Sequence, residues 1–140
     1  MTTKISEAAS LALHTLALMA RNADEPLAAK TVAATLGASE NHLHKVLGRL
    51  VKAGLIRSTR GPKGGFTLAK TGDRITLLEV FEAIEGPMEP ITCLLEHSLC
   101  DGTSCIFGDL LERQQREFRD YLANVKLSET KLGIMREASE

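Results

Sequence analysis

A mainly α-helical fold with one small β-hairpin is the expectation for this chain, and three observations predict it. Five stretches repeat apolar residues at helical spacing. A pair of these, joined by a Gly-containing turn, falls ahead of mid-chain. A basic segment rich in Gly and Pro follows the pair, bounded by two short β-prone runs. At 140 residues and 44% hydrophobic, the chain is long enough for one domain with a real core. It has no Trp and only four Phe, so Leu, Ala, Ile and Val must fill that core.

Taken in order, Ile5 to Ala20 is apolar around most of its circumference and reads as a buried helix. Its polar residues Glu7, Ser10 and His14 share one stripe. Pro26 closes the loop that follows. Ala28 to Leu36 is a short helix, and Gly37 supplies the turn after it. Ser39 stands at an N-cap position, and Leu43, Val46, Leu47 and Leu50 make the buried face of the next helix. Asn41, His42, Lys45, Arg49 and Lys52 lie opposite, with His44 at the edge and Gly54 as the stop. Two helices around a tight turn make a helix-turn-helix, whose second helix suits a DNA major groove.

Leu55-Ile56 and Phe66-Thr67-Leu68 read as two short strands, and Arg57 to Gly65 between them as a β-hairpin wing. Gly64 and Gly65 are expected to supply positive φ angles and a close backbone approach to phosphate. Thr76-Leu77-Leu78-Glu79 is a capping box opening a helix with Leu78, Phe81 and Ile84 on its apolar face. Gly86 and Pro87 end it. Periodicity is lost from Pro87 to Gly108 and returns from Asp109 to Val125, with Leu111, Phe118, Leu122 and Val125 on one side. Glu112–Arg116 and Arg113–Glu117 are the ion pairs expected along its exposed side. A second subunit is the expected partner for the apolar side of this helix.

Charge is distributed unevenly. Between Asn41 and Lys70 lie seven Lys or Arg and no Asp or Glu, whereas the whole chain holds 17 basic and 18 acidic residues. A formal charge of −1 thus conceals a +7 segment on a body of −8, a polarity suited to a polyanion. Arg49, Lys52, Arg57, Arg60 and Lys63 are the expected phosphate contacts, with Arg60 alternatively entering the minor groove. Asn41, His42, His44 and Lys45 are the expected readers of base edges, with Ser39 beside them at the start of the helix. No segment is long and apolar enough for a bilayer, and no cleavable signal opens the chain, so a cytoplasmic location is expected.

Cys93, Cys100 and Cys105 follow a C-x6-C-x4-C pattern within the aperiodic segment. An odd count in thirteen residues does not make a disulfide framework. Three thiolates on one loop suit a soft metal centre, and spacing alone leaves zinc, copper(I), an iron–sulfur cluster and unligated thiols open. Cys93 or Cys100 beside His97 has the residue types of a nucleophile pair. No orienting group or oxyanion hole accompanies it, and no enzymatic activity is expected.

Leu50-Val51-Lys52-Ala53-Gly54-Leu55-Ile56 followed by Ser58-Thr59-Arg60-Gly61-Pro62-Lys63-Gly64-Gly65-Phe66 resembles the signature of the Rrf2 family of bacterial transcription regulators. The run from Ile75 to Gly86 resembles the family's next segment, and the likeness covers roughly residues 5 to 125. It implies a winged helix-turn-helix domain with a long C-terminal dimerisation helix. It also implies a homodimeric regulator, a repressor by expectation, on a partly palindromic DNA operator. Members with three Cys here bind an iron–sulfur cluster that senses redox state, nitric oxide, iron or cluster supply. The resemblance therefore selects a 2Fe–2S or 4Fe–4S cluster on Cys93, Cys100 and Cys105. Cluster-free relatives that bind a partner enzyme keep a zinc site, a thiol switch or such a partner as the alternative.

Two departures stand out. The Cys spacing differs from the even spacing of the best-known iron–sulfur member, and Gly108 stands where that member has a His ligand. A fourth ligand must come from elsewhere: His14 or Glu7 of the other subunit, or His97 or Asp101 within the loop. His44 and Lys45 replace that member's acid–amide pair, so a different operator is expected. The expected organisation is a DNA-binding domain at 1–86, a cluster loop at 87–108, a dimerisation helix at 109–127 and a flexible tail at 128–140.

Overall fold

The computed structural model describes residues 5–91, 93–100 and 104–132. Asp101 and residues 133–140, and with them much of the expected tail, lie outside this set. The elements are α1 (Glu7–Arg21), α2 (Ala29–Leu36), α3 (Glu40–Lys52), β1 (Ile56–Thr59), β2 (Gly65–Leu68), α4 (Leu77–Glu85) and α5 (Leu110–Asn124). Two 3-10 turns, Gly72–Arg74 and Leu127–Glu129, follow β2 and α5. The mainly helical winged architecture expected from the sequence is therefore present.

One core serves every helix. Leu16 and Met19 of α1, Leu43, Leu47 and Leu50 of α3, and Val80 of α4 are fully buried together with Ile56, Ile75 and Leu127. Burying each such Leu or Ile contributes about 1.5–3 kcal/mol, and α1 at the centre packs against α2, α3 and α4. Among the described residues Thr15 is the one buried polar residue.

Local chemistry sets the boundaries. Ser6 and Ser39 cap α1 and α3, their hydroxyls accepting the amides of Ala9 and His42. Ala53 closes α3 and Gly54 (φ 77°) turns the chain, so the stop operates one residue beyond the cap itself. At α4 the expected capping box forms: Thr76 Oγ1 accepts the Glu79 amide at 3.2 Å, and Glu79 Oε1 accepts the Thr76 amide at 3.4 Å.

The hairpin pairs Ile56 with Leu68 through Thr59 with Gly65, antiparallel, so its strands run further toward the tip than the two apolar runs suggest. Its glycines act differently from expectation. Neither Gly64 nor Gly65 has a positive φ; that role falls to Gly61 at 109°. A Cβ on Gly64 would stand 2.3 Å from the Thr59 carbonyl oxygen, and one on Gly65 2.5 Å from that of Leu27. Both positions exclude a side chain because another backbone passes against them. At Gly65 the reason is a further bridge, in which Leu27 and Phe66 exchange N–H···O bonds of 3.0 and 2.9 Å. The wing is thereby pinned to the segment leading into α2.

The chain also returns to the core after α5. Leu127 donates to the Ile75 carbonyl at 2.8 Å, Leu77 donates to Val125 at 3.0 Å, and Thr76 bridges Lys126. The apolar side of α5 finds part of its partner in its own chain: Leu111 and Leu122 are buried, and Phe118 meets Phe81 edge-on at 5.4 Å. Leu110 and Tyr121 remain exposed on this helix. Glu112–Arg116 pairs at 2.8 Å as expected, but Arg113 turns back to Asp109 at 3.0 Å rather than forward to Glu117.

Candidate nucleic-acid interface and cysteine segment

The expected base readers all lie on α3. Leu43, Val46, Leu47 and Leu50 bury one side of the helix, and its period leaves Asn41, His44 and Lys45 exposed on the other. His42 is half-buried, with Nδ1 3.9 Å from Glu7 Oε1 at the start of α1. His44 Nε2 faces Glu40 Oε1 at 3.7 Å, one helical turn back. The Ser39 hydroxyl is engaged in capping, which fixes where α3 begins.

Glu40, the exposed first residue of α3, lies directly before the acid-free window that begins at Asn41. Its carboxylate faces His44 one turn on, and a carboxylate is the residue type that accepts from a cytosine amino group. Its place one residue after an N-cap was the available signal.

Among the expected phosphate contacts, Lys52, Arg60 and Lys63 are exposed, the last two in the turn of the wing. Arg57 on β1 is exposed with a long 3.5 Å contact to the Ala69 carbonyl. Arg49 is exposed as well, but its guanidinium donates to the carbonyl of Ile84 in the last turn of α4. Lys70, at the end of the basic window, is paired with Glu79 at 3.0 Å.

The cysteine segment is tied at its start to two helices. The Met88 amide donates to the Glu82 carboxylate at 2.7 Å, and the Ile91 amide to Gln115 Oε1 at 2.8 Å. Cys93 is half-buried, and Cys100 and Cys105 are exposed. At two of them the amide two residues on donates to sulfur, Leu95 to Cys93 and Phe107 to Cys105, both at 3.4 Å. Ser98 Oγ lies 3.6 Å from Cys100 Sγ. N–H···S contacts of this kind are typical of the surroundings of metal-ligating sulfur.

The three thiols are not gathered, and among the described residues no group of three His, Cys, Asp or Glu forms a metal cage. Of the four candidates for a further ligand, His14 is exposed with Nδ1 2.7 Å from its own Ser10 carbonyl, and Glu7 faces His42. His97 is exposed, and Asp101 lies outside the described residues.

Residues 5–130 match the model of the Rrf2 family, described as an iron-dependent transcriptional regulator. The chain belongs to the Rrf2 family. A helix-turn-helix-type transcriptional regulator of Neisseria meningitidis serogroup A is 34% identical over 89 residues, covering 64% of this chain. The aligned region spans 60% of that relative's length. The regulator IscR of Erwinia tasmaniensis is 30% identical over 118 residues, covering 84% of this chain and 70% of its own. Among solved structures, CymR, the global cysteine regulator of Bacillus subtilis, superposes with a TM-score of 0.75 at 27% identity. That match covers 89% of this chain and 93% of CymR. The Rrf2 likeness in the wing and capping-box motifs thus extends through α5. No helix among the described residues is long and apolar enough to cross a membrane.

Proposed function

We propose that this Rrf2 member is a homodimeric, DNA-binding transcriptional regulator of the cytoplasm, acting as a repressor on a partly palindromic operator. The observation that carries the reading is the pairing of an exposed polar face on α3 with an exposed basic wing in the fold of this family. Asn41, His42, His44 and Lys45 lie where base edges are read, and Ser39 sets the start of the helix. Lys52, Arg57, Arg60 and Lys63 supply phosphate affinity that falls with salt. The exposed Leu110 and Tyr121 of α5 give a second subunit apolar surface to cover.

The finer part of the proposal is an iron–sulfur cluster held by Cys93, Cys100 and Cys105. The family description as iron-dependent supports it, as do three thiols without an even partner count and the N–H···S contacts at Cys93 and Cys105. A bound cluster supplies redox-responsive ligation of the three sulfurs. What the chain itself contributes is the tie of this segment to α4 and α5, through Glu82 and Gln115. Order at the cysteines is thereby linked to the helix behind α3 and to the proposed dimer helix.

Anaerobic purification followed by iron and acid-labile sulfide counts tests the cluster, and retention on a mixed-sequence 40-base-pair duplex tests DNA binding. Iron and sulfide in equal amounts with salt-sensitive binding is the expected outcome. A colourless, iron-free protein removes the cluster and leaves the DNA reading standing.

A second reading keeps DNA binding and replaces the cluster by a zinc site, a thiol switch or a partner enzyme. The separated, mostly exposed thiols favour it, as does the likeness to CymR. Zinc without sulfide, or no metal at all, is its signature.

A further inference from the structure

Arg49 sits on the recognition helix and is exposed like the basic residues around it, yet its guanidinium reaches across the α3–α4 interface. Nη2 donates to the backbone carbonyl of Ile84. That carbonyl is one of the last four of α4, which have no partner inside their own helix. A guanidinium at a helix C-terminus both satisfies an orphan acceptor and meets the negative end of the helix dipole. The neighbouring residue Glu85 is held from the other side, its carboxylate accepting from the Ser6 hydroxyl at the start of α1. The end of α4 is thus gripped by α3 and by α1.

The same helix end leads directly to the cysteines. Gly86 turns the chain out of α4 with φ 82°, the Met88 amide returns to Glu82, and Gln115 holds the backbone at Glu89 and Ile91. The C-terminal turn of α4 is therefore hydrogen-bonded to the recognition helix on one side and to the chain leading to Cys93 on the other.

We infer that Arg49 is a positioning residue rather than a phosphate contact: it fixes the angle of the recognition helix against α4 and links that angle to the cysteine segment. The inference deepens the DNA-binding proposal and rests on it. An arginine committed to a carbonyl has its planar fork already oriented, so its removal frees the helix to tilt without removing a charge that DNA would neutralise.

Two measurements test this. Phenylglyoxal footprinting of the unsubstituted protein, free and on a mixed-sequence 40-base-pair duplex, reads the arginines directly. Arg57 and Arg60 are expected to react in the free protein and to be protected by DNA, whereas the rate at Arg49 is expected to be the same with and without DNA. Arg49→Gln is then compared with Arg60→Gln on that duplex and on a site selected from a random pool by the unsubstituted protein. Arg60→Gln should reduce the slope of log K against log salt by about 0.9. Arg49→Gln should leave the slope on the mixed duplex unchanged while cutting the preference for the selected site about tenfold, and Arg49→Lys should restore part of that preference. An Arg49 that DNA protects overturns the inference, as does a slope reduced by about 0.9 with selectivity retained. If Arg49→Gln fails to fold, footprinting decides between the two roles unaided. Absence of any duplex binding by the unsubstituted protein overturns the proposed function, and this inference with it.

Discussion

Gln115 on α5 holds the backbone of Ile91, twenty-four residues earlier, at 2.8 Å through its side-chain oxygen. Its amide nitrogen donates in turn to the Glu89 carbonyl. One primary amide therefore satisfies both a donor and an acceptor of an otherwise irregular segment, its oxygen accepting and its nitrogen donating. The entrance to the cysteines is anchored to α5 by this residue.

Gln115→Ala should release that entrance while leaving the core intact. Amide exchange at Ile91 is expected to rise roughly fivefold, the equivalent of one lost hydrogen bond of about 1 kcal/mol, with little change in melting temperature. Exchange at the unsubstituted rate would show that the segment does not depend on Gln115.

Glycine substitutions separate the wing from the helix. Gly65→Ala drives a methyl group into the Leu27 carbonyl, backbone that cannot step aside, and should cost roughly 1–3 kcal/mol in urea unfolding. Gly48 lies within α3 with nothing within 4 Å of its would-be Cβ. Gly48→Ala should therefore stabilise the fold by about 0.5–1 kcal/mol. A stabilising Gly65→Ala would refute the close approach at the wing root.

Leu50 is fully buried between α3 and the rest of the core. Leu50→Ala should destabilise by roughly 2–5 kcal/mol, read from the shift in urea midpoint at constant slope. Loss of duplex binding should follow global unfolding and not precede it.

Charge removal at the wing should be graded by pairing. Lys63→Ala is expected to lower the salt slope on duplex DNA by about 0.9, whereas Lys70→Ala, which only strips Glu79 of its partner, should lower it by less than half of that. Equal effects would mean that the Lys70–Glu79 pair opens when DNA arrives.

The helices were legible because their signals are local. Ser39, the Thr76–Glu79 box and the four apolar residues of α3 each act within one or two turns, and the structure places them as the pattern requires. The hairpin was legible as a wing but not in its details. Whether a glycine is needed for φ or for clearance depends on Leu27, nearly forty residues away from Gly65 in sequence. Arg49 resembled every other lysine and arginine of the basic window, and only the position of the Ile84 carbonyl sets it apart. Arg113 offered two partners one turn away, and Asp109 took it over Glu117. The return of Leu127 onto Ile75 had a weak signal, the apolar alternation of Val125 and Leu127, in a stretch otherwise read as the end of a helix.

That return has a consequence for how the protein is made. Ile75 and Leu127 share a backbone hydrogen bond and are both buried, and Leu127 belongs to the same core as α1 and α3. A chain emerging from the ribosome exposes the whole helix-turn-helix and wing long before residue 127 is available to close over Ile75. Until then the growing chain carries an open apolar seam, and closing a contact that spans more than fifty residues is slow compared with forming the helices. The surface formed by α3 and the hairpin is thus among the first parts of the protein to be synthesised, and among the last to acquire its full support.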